Sequence, residues 1–187
     1  MKIASIDFET ANHSRASMCA ASVAVFEDGV LVESPYWLVK PPKGHGWFLE
    51  EWTEEIHGIS HLDVLHAPEF PQIAAEFLER LTSADIVIAH NARFDMDVLK
   101  QTLDHFHLPK PRFSHLCTCT LARRVWPELS NHRLNTIAAH IGHEFQHHHA
   151  QADAVAAGHV MLAAMRHMEA GTLEDLMSRT SGLVEGF

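Results

Sequence analysis

Residues 2–9 read Lys-Ile-Ala-Ser-Ile-Asp-Phe-Glu, an apolar run that ends in two carboxylates. The run predicts a buried β-strand over residues 2–8. Side chains alternate along a strand, so Asp7 and Glu9 share one face, roughly 7 Å apart, while Phe8 points to the other. Two carboxylates at this spacing repel each other, and a hard divalent cation would relieve that repulsion. An isolated Asp-x-Glu pair is also common at solvated strand ends, so the pair alone does not decide the chemistry.

The segments that follow place this strand in a mixed sheet. A second strand is predicted at 19–27 and a third at 30–39, joined by the turn Glu27-Asp28-Gly29. Residues 44–68 are predicted to form a loop with a short helix. A short buried strand is predicted at 85–89, and helices near 69–81, 93–106, 118–125, 133–141, 150–169 and 172–178. A β-meander followed by a helix, a strand and more helices indicates an α/β fold with antiparallel and parallel strands.

The composition narrows the classes of function. The chain has 187 residues, of which 47% are hydrophobic and 20% charged, as is typical of one globular domain. The net charge of −10 argues against a protein that coats nucleic acid with a basic face, but it allows an enzyme that grips a few terminal nucleotides. No transmembrane run is present and Asp7 comes too early for a signal peptide, so we expect no membrane and a cytoplasmic location.

A second segment reads His90-Asn91-Ala92-Arg93-Phe94-Asp95 and follows the short buried strand. It is predicted to open a helix with Asn91 as the N-cap residue. Asp95 would then lie in the first turn, where the helix dipole favours a carboxylate. The alternative is a well-capped helix without a chemical role.

A third segment, His147-His148-His149-Ala150-Gln151-Ala152-Asp153, precedes an alanine-rich helix. Asp153 again lies near a helix start. His148 lies five residues earlier, which is not a same-face helical spacing, so we expect it on the loop before the helix. An imidazole at such a place is a natural general base. An exposed polar loop, or adventitious metal binding, is the alternative for three consecutive histidines.

The three segments together resemble the histidine branch of the DEDD exonucleases, the DnaQ-like 3′→5′ exonuclease family. The likeness rests on Asp7-x-Glu9, His90-Asn91-x-x-Phe94-Asp95 and His148-x-Ala150-x-x-Asp153. Family members include exonuclease X and the proofreading epsilon subunit of bacterial DNA polymerase III. Further matching elements are Ile56-His57-Gly58-Ile59 and the stretch from Leu121 to Pro127. The resemblance covers roughly residues 2–170, so we expect an exonuclease domain over 1–170 and a short C-terminal helix or tail of the same domain over 171–187.

The resemblance implies a ribonuclease H-like fold, a five-stranded mixed sheet flanked by helices. It also implies two Mg²⁺ or Mn²⁺ ions, roughly 3.5–4 Å apart, bound by four carboxylates: Asp7, Glu9, Asp95 and Asp153. Asp7 would bridge the ions, and His148 would take a proton from the attacking water. The implied reaction is metal-dependent hydrolysis of the terminal phosphodiester of DNA or RNA, which releases nucleoside 5′-monophosphates.

Substrate contacts also follow from the family pattern. The candidates are Phe8, Thr10, Ile56, His57, Asn91 and Phe94. Aromatic side chains stack on single-stranded ends with little base preference, although packing is an equal alternative for Phe8 and Phe94. Arg123, Arg124 and Arg133 are candidates for phosphate contacts, with a solvated helix face favoured for at least one of them.

The sequence is compatible with three hypotheses about function. The first is an independent exonuclease that acts on 3′ ends, single-stranded by preference, and the family also allows a homodimer. The second is a proofreading or accessory subunit that acts mainly as a partner of a DNA polymerase. The third is a zinc-binding protein built on the histidines with Cys117 and Cys119, which lacks paired ligand spacing.

Overall fold

The computed structural model describes residues 1–180 and 183–187. The strands are β1 (Lys2–Thr10), β2 (Met18–Glu27), β3 (Val30–Glu33), β4 (Tyr36–Leu38), β5 (Ile86–Ala89), β6 (Ser114–Cys117) and β7 (Val184–Gly186). The helices are α1 (Phe70–Thr82), α2 (Ala92–His105), α3 (Thr118–Val125), α4 (Leu134–His140), α5 (Ala150–His167) and α6 (Leu173–Arg179). A π-helical turn covers Trp52–Ile56. Every predicted helix is present, with bounds that agree to within two residues.

The strands form one mixed sheet with the order β3-β2-β1-β5-β6-β7, and β4 also pairs with β2. β1 pairs antiparallel with β2 and parallel with β5, and β5 pairs parallel with β6. The predicted mixed α/β sheet is confirmed. The predicted count of five strands differs from the seven strands in the described part of the chain.

The sequence pattern predicted four strand segments, and two local features account for the three additional strands. The strand predicted over 30–39 is divided into β3 and β4 around Ser34 and Pro35, because proline lacks the N–H that a continuous ladder needs. β6 and β7 are short, and β7 is exposed at every residue, so neither shows the apolar alternation from which a strand is predicted.

Alternating side chains of the central strands build a hydrophobic core on each face of the sheet. Ile3, Phe26 and Ile88 pack against the helices α3 to α6, whereas Ile6 and Val87 pack against α1 and α2. The sheet is therefore a middle layer between two layers of helices, as expected for strands buried on both faces.

Helix α5 lies directly against the sheet because it is rich in small residues. A Cβ atom at Gly158 would overlap the ring of Phe26 on β2, so this position favours glycine for close approach rather than for backbone freedom. The contact fixes α5, and with it the first turn that carries Asp153, against the face of β1 that carries Asp7 and Glu9.

The C-terminal segment packs on the same sheet and helices. Leu176 of α6 is fully buried among the residues of α3 and α5, and β7 pairs antiparallel with β6. That residues 1–170 and 171–187 form one domain remains a prediction. Among the residues described, no helix is long and apolar enough to cross a membrane.

Candidate active site

The carboxyl end of β1 presents two acids on the face that α5 covers. Asp7 and Glu9 are half-buried and alternate with the buried residues Phe8 and Thr10. Asp7 lies opposite Ser22 of β2 in the antiparallel register. The strand geometry thus places both carboxylates on one face, as the alternation in the sequence predicts.

Two helix starts bring the other acids to this end of the sheet. Asp95 lies in the first turn of α2, and Asp153 lies in the first turn of α5. The two side chains are buried, with 1% and 3% of their surface exposed. Carboxylates favour the first turn of a helix because the backbone N–H groups there carry partial positive charge.

Three of the four acids form a compact cluster. Carboxylate oxygens of Asp7, Glu9 and Asp153 all lie within 4.8 Å of one another. Asp95 lies outside this cluster but close enough to Asp7 to interact with its charge. Its Oδ1 atom is buried and has no hydrogen-bond partner in the described chain. Hard oxygen ligands and an orphaned buried carboxylate oxygen fit a site for divalent cations such as Mg²⁺ or Mn²⁺.

Mutual repulsion and burial perturb these acids. Burial, followed by the charges of Asp95, Glu9 and Asp153, raises the pKa of Asp7 well above its ordinary value. Burial and the charge of Asp153 raise the pKa of Glu9 to about 8. Burial also raises the pKa of Asp95. The folded protein therefore lacks enough internal positive charge to keep these carboxylates ionised, a deficit that bound cations would supply.

We expect Asp7→Asn to stabilise the metal-free protein, and more so at high pH. A raised pKa in the folded state means that the free energy of unfolding declines as pH rises from the ordinary carboxyl range through the folded value. One pKa unit corresponds to about 1.4 kcal/mol, which shifts Tm by roughly 2–4 °C or more in a chain of this size. In EDTA, the Tm gain of Asp7→Asn should be larger at pH 8.0 than at pH 5.5, and saturating Mg²⁺ should reverse it. An equal gain at both pH values would contradict the raised pKa.

The side chains of Asp7, Glu9 and Asp153 line a cavity of about 550 Å³. Predicted site residues on its wall are Asp7, Phe8, Glu9, Asn91, Phe94, His148 and Asp153. Thr10, Ile56, His57 and Asp95 are not part of the wall. Two of the candidates for phosphate contacts, Arg123 and Arg133, also border the cavity, as does Cys119. Asn131 and His132 border it without a predicted role. The guanidinium of Arg124 instead donates a hydrogen bond to the carbonyl of Thr180.

The three consecutive histidines occupy different surroundings. His147 Nδ1 lies 2.6 Å from Asp153 Oδ1, and its ring stacks on that of His148 with centroids 3.9 Å apart. His148 has a left-handed backbone, with φ of 65°, which is uncommon for a residue other than glycine. Burial and the neighbouring His147 lower the pKa of His148. His149 stacks on Tyr36 and does not border the cavity. His147 and His148 thus both face Asp153, and only His147 bonds to it.

The predicted substrate residues near β1 are held by the loop that follows β4. His57 Nε2 donates to the carbonyl of Thr10 at 3.2 Å, while Nδ1 accepts from the N–H of Ile59 at 3.0 Å. The imidazole is therefore fully hydrogen-bonded within the protein, and burial lowers its pKa. Ile56 is 39% exposed beside it, which leaves an apolar surface at the edge of the site.

The other predicted contacts divide between packing and exposure. The ring of Phe8 is 2% exposed and packs on Phe77 at 5.5 Å, so its side chain belongs to the core. Phe94 is half-buried, with the guanidinium of Arg15 4.3 Å from its ring centroid. Asn91 occupies the predicted N-cap position, but its side chain makes no capping bond because its backbone is left-handed, with φ of 71°. The amide of Asn91 is consequently exposed beside the acids.

The chain is similar to proteins of a known family. A family model described as an exonuclease, RNase_T, matches residues 41–161, more than half of the chain. The chain belongs to this exonuclease family. The matched region includes Asp95, His148 and Asp153, whereas Asp7 and Glu9 precede it. The family is one of 3′→5′ exonucleases that depend on divalent metals, so the predictions of family and of a nuclease enzyme are confirmed.

Curated relatives of this exonuclease chain include replicative polymerase proteins. The PolC-type DNA polymerase III of Oceanobacillus iheyensis is 39% identical over 114 residues, which are 60% of this chain and 8% of that protein. The epsilon subunit of DNA polymerase III of Aquifex aeolicus is 30% identical over 118 residues, 63% of this chain and 56% of that protein. The match thus spans a small part of the polymerase and about half of the subunit.

Solved structures confirm the ribonuclease H-like exonuclease fold. Exonuclease X, in complex with 5′ overhanging duplex DNA, has a TM-score of 0.73 at 23% identity, with 96% of this chain and 98% of that chain covered. The nuclease domain of 3′hExo, a DEDDh family member bound to rAMP, has a TM-score of 0.75 at 14% identity, with 88% and 92% covered. At these identities the likeness concerns the fold.

His90, a residue of the exonuclease motif to which no role was assigned from the sequence, makes two hydrogen-bonding contacts in the structure. His90 is half-buried. Its Nε2 donates to the carbonyl of His132 at 3.0 Å, and its Nδ1 lies 2.9 Å from the Thr118 hydroxyl. Burial lowers its pKa to about 4, which keeps the ring neutral. His90 thereby ties the end of β5 to the loop that carries Asn131 and Arg133. The sequence motif includes His90, but it does not indicate these hydrogen bonds.

Proposed function

We propose that this exonuclease-family chain hydrolyses the terminal phosphodiester at the 3′ end of DNA or RNA and releases nucleoside 5′-monophosphates. The observation that carries the proposal is the cluster of Asp7, Glu9 and Asp153 beside His148, with the buried Asp95 next to it. These are the positions that the family pattern assigns to the metal ligands and to the general base. Both DNA and RNA remain within the proposal, because no described contact selects for or against a 2′-hydroxyl.

Asp7, Glu9 and Asp153 would hold one divalent cation, and Asp7 with Asp95 would hold a second. When bound, such ions activate water and stabilise charge on the attacking and leaving oxygens. The acids of this chain then serve as ligands and stay ionised despite their burial. Their rigid placement on β1, α2 and α5 fixes the scissile phosphate relative to His148 without reorganisation of the site.

His148 accepts the proton of the attacking water in this proposal. A general base must be neutral, and the lowered pKa of His148 keeps it so at neutral pH. Its loop position lets the ring approach the phosphate from the cavity. His147, bonded to Asp153, orients that carboxylate instead of taking the proton.

The terminal nucleotide would occupy the cavity between these acids and Phe94. Ile56 offers an apolar surface to its base or sugar, and the half-buried ring of Phe94 forms a wall. Arg123 and Arg133 supply positive charge to the phosphate, for which the arginine fork is well suited. The hydrogen bond from His57 to the carbonyl of Thr10, outside the cavity wall, holds the segment that carries Ile56 against β1.

Blocking the 3′ end should distinguish this activity from other nuclease activities. A 3′-phosphate on a 12-nucleotide strand is expected to slow digestion at least tenfold, because it fills the place of the terminal hydroxyl and adds charge beside the acids. A 5′-phosphate on the same strand serves as the matched control and should leave the rate within about twofold. Chromatography of the products should show nucleoside 5′-monophosphates. Release of 3′-monophosphates, or cleavage of a closed circle, would contradict the proposal.

A proofreading or accessory role is the second candidate, favoured by the likeness to PolC-type polymerase and to an epsilon subunit. In that role the chain would act on 3′ ends presented by a polymerase. Co-purification of the tagged chain from cells of its source would test it: a polymerase at stoichiometric yield supports the role, and its absence, with full activity of the isolated chain, opposes it.

A further inference from the structure

The active-site cavity shares lining residues with two other cavities around the start of α2. Asn91 borders all three. A small cavity of about 300 Å³ shares Asn91 and Phe94 with the active site, and it shares Arg93 and Asp97 with a larger cavity of about 650 Å³. We call the two outer cavities the α2 groove. Asn91 and Phe94 therefore mark the boundary between the active-site cavity and this groove.

The α2 groove gathers positive charge in an acidic protein. Of the 14 lysine and arginine residues in the chain, four border the groove: Arg15, Arg93, Lys100 and Lys110. Two more, Arg123 and Arg133, border the active-site cavity. The net charge of the chain is −10, so six cations on the walls of three adjacent cavities stand out from the acidic surface. Such a concentration of positive charge suits a polyanion.

Acids near the groove leave part of this charge uncompensated. Asp97 and Glu185 border the same cavities, and Lys110 is paired with Asp104 at 2.7 Å. Arg93 and Lys100 make no ion pair within the described chain, and both are exposed. These two cations are therefore the ones available to an outside anion.

The walls of the groove also offer apolar surface. Ala92 and Met96 of α2 form one side, and Phe187, stacked on Phe113 at 4.7 Å, forms the other. Cations beside aromatic and aliphatic walls are the features that bind single-stranded nucleic acid, where phosphates meet the charges and bases meet the apolar surface. Cavities of about 300 and 650 Å³ have the size of pockets that enclose small ligands, which suits single nucleotides better than a duplex.

We propose that the α2 groove binds the nucleotides that precede the 3′-terminal nucleotide of a single strand, with Arg93 and Lys100 on their phosphates. The inference rests on the proposed function, since it assumes that the terminal nucleotide lies at the acids. It adds a substrate-binding surface that the family motif does not contain. It also predicts that the enzyme prefers strands longer than two nucleotides.

Oligothymidylates of two and twelve nucleotides, dT2 and dT12, test the proposal. The variant Arg93→Gln/Lys100→Gln is compared with Lys40→Gln/Lys43→Gln, whose lysines border a separate cavity that shares no residue with the groove. Binding of labelled dT12 is measured by anisotropy in Ca²⁺, and release of dTMP from both oligomers is measured in Mg²⁺. Each phosphate contact contributes about 0.7 to the slope of log K against log salt.

The groove variant should lower this slope for dT12 by about 1.4, the sum of two contacts. It should also reduce the preference for dT12 over dT2, expressed as the ratio of their KM values, about tenfold. The control variant should retain the wild-type slope and ratio. An equal rise in KM for dT2 and dT12, or an unchanged slope, would overturn the proposal. If the wild type binds dT12 with the expected slope but releases no dTMP, the proposed hydrolysis is contradicted, whereas nucleotide binding by the α2 groove is supported.

Discussion

Asp7→Ala is expected to reduce turnover by about 10³-fold or more. Asp7 lies at the centre of the acid cluster, within 4.8 Å of Glu9 and Asp153 and beside the buried Asp95. Its loss would weaken both proposed ion sites at once. Metal ions contribute several kcal/mol of charge stabilisation, and each 1.36 kcal/mol corresponds to a factor of ten in rate. Hydrolysis of dT12 in Mg²⁺ measures the loss, and calorimetric titration with Mn²⁺ should show weakened binding.

The matched control for Asp7→Ala is Glu79→Ala, which removes an exposed carboxylate from α1. This control should keep wild-type turnover and Mn²⁺ binding. EDTA should abolish the activity of the wild type. If Asp7→Ala retained more than a tenth of the activity, or if the wild type worked in EDTA, the role of Asp7 would have to be abandoned.

His148→Ala is expected to lower kcat at least about 10²-fold, because general-base catalysis contributes typically 10²–10⁴-fold. KM and Mn²⁺ binding should change little, since the imidazole acts on the water and is not required to hold the ion. The wild type should lose activity as pH falls through the lowered pKa of His148, so the acid limb lies below the ordinary histidine value near 6.5. This acid limb should be absent or altered in His148→Ala.

The neighbouring histidines provide the internal comparison. His149 stacks on Tyr36 outside the cavity, so His149→Ala should show near wild-type kcat. His147→Ala, which removes the bond to Asp153, should have a smaller effect than His148→Ala and should retain the acid limb. If His147→Ala had the low kcat and His148→Ala had the wild-type value, the general base would be His147. The alignment of this chain with the family motif would then be shifted by one residue.

The elements predicted best from the sequence are those whose local residue pattern agrees with their position in the fold. The strand that carries Asp7 and Glu9 was predictable because alternation along an apolar run fixes which side chains share a face. The helices that carry Asp95 and Asp153 were predictable from their apolar spacing and an acid in the first turn. Their meeting at one edge of the sheet came from the family resemblance, since no local pattern specifies which strand ends adjoin.

Long-range contacts account for what the sequence did not predict. The pairing of β7 with β6 joins residues far apart along the chain. Nothing in three consecutive histidines indicates that His147 would bond to Asp153. The N-cap position of Asn91 was predicted, but its left-handed backbone was not. The α2 groove likewise arises only when α2, β6 and β7 come together.

The most direct test of the account is digestion of matched 5′-labelled DNA and RNA 12-mers, with Mg²⁺, with Mn²⁺ and with EDTA. We expect a ladder that shortens one nucleotide at a time from the 3′ end in either metal, with the 5′ label retained to the shortest products and no change in EDTA. Early loss of the 5′ label, internal fragments without a ladder, or full digestion in EDTA would contradict a metal-dependent 3′→5′ exonuclease.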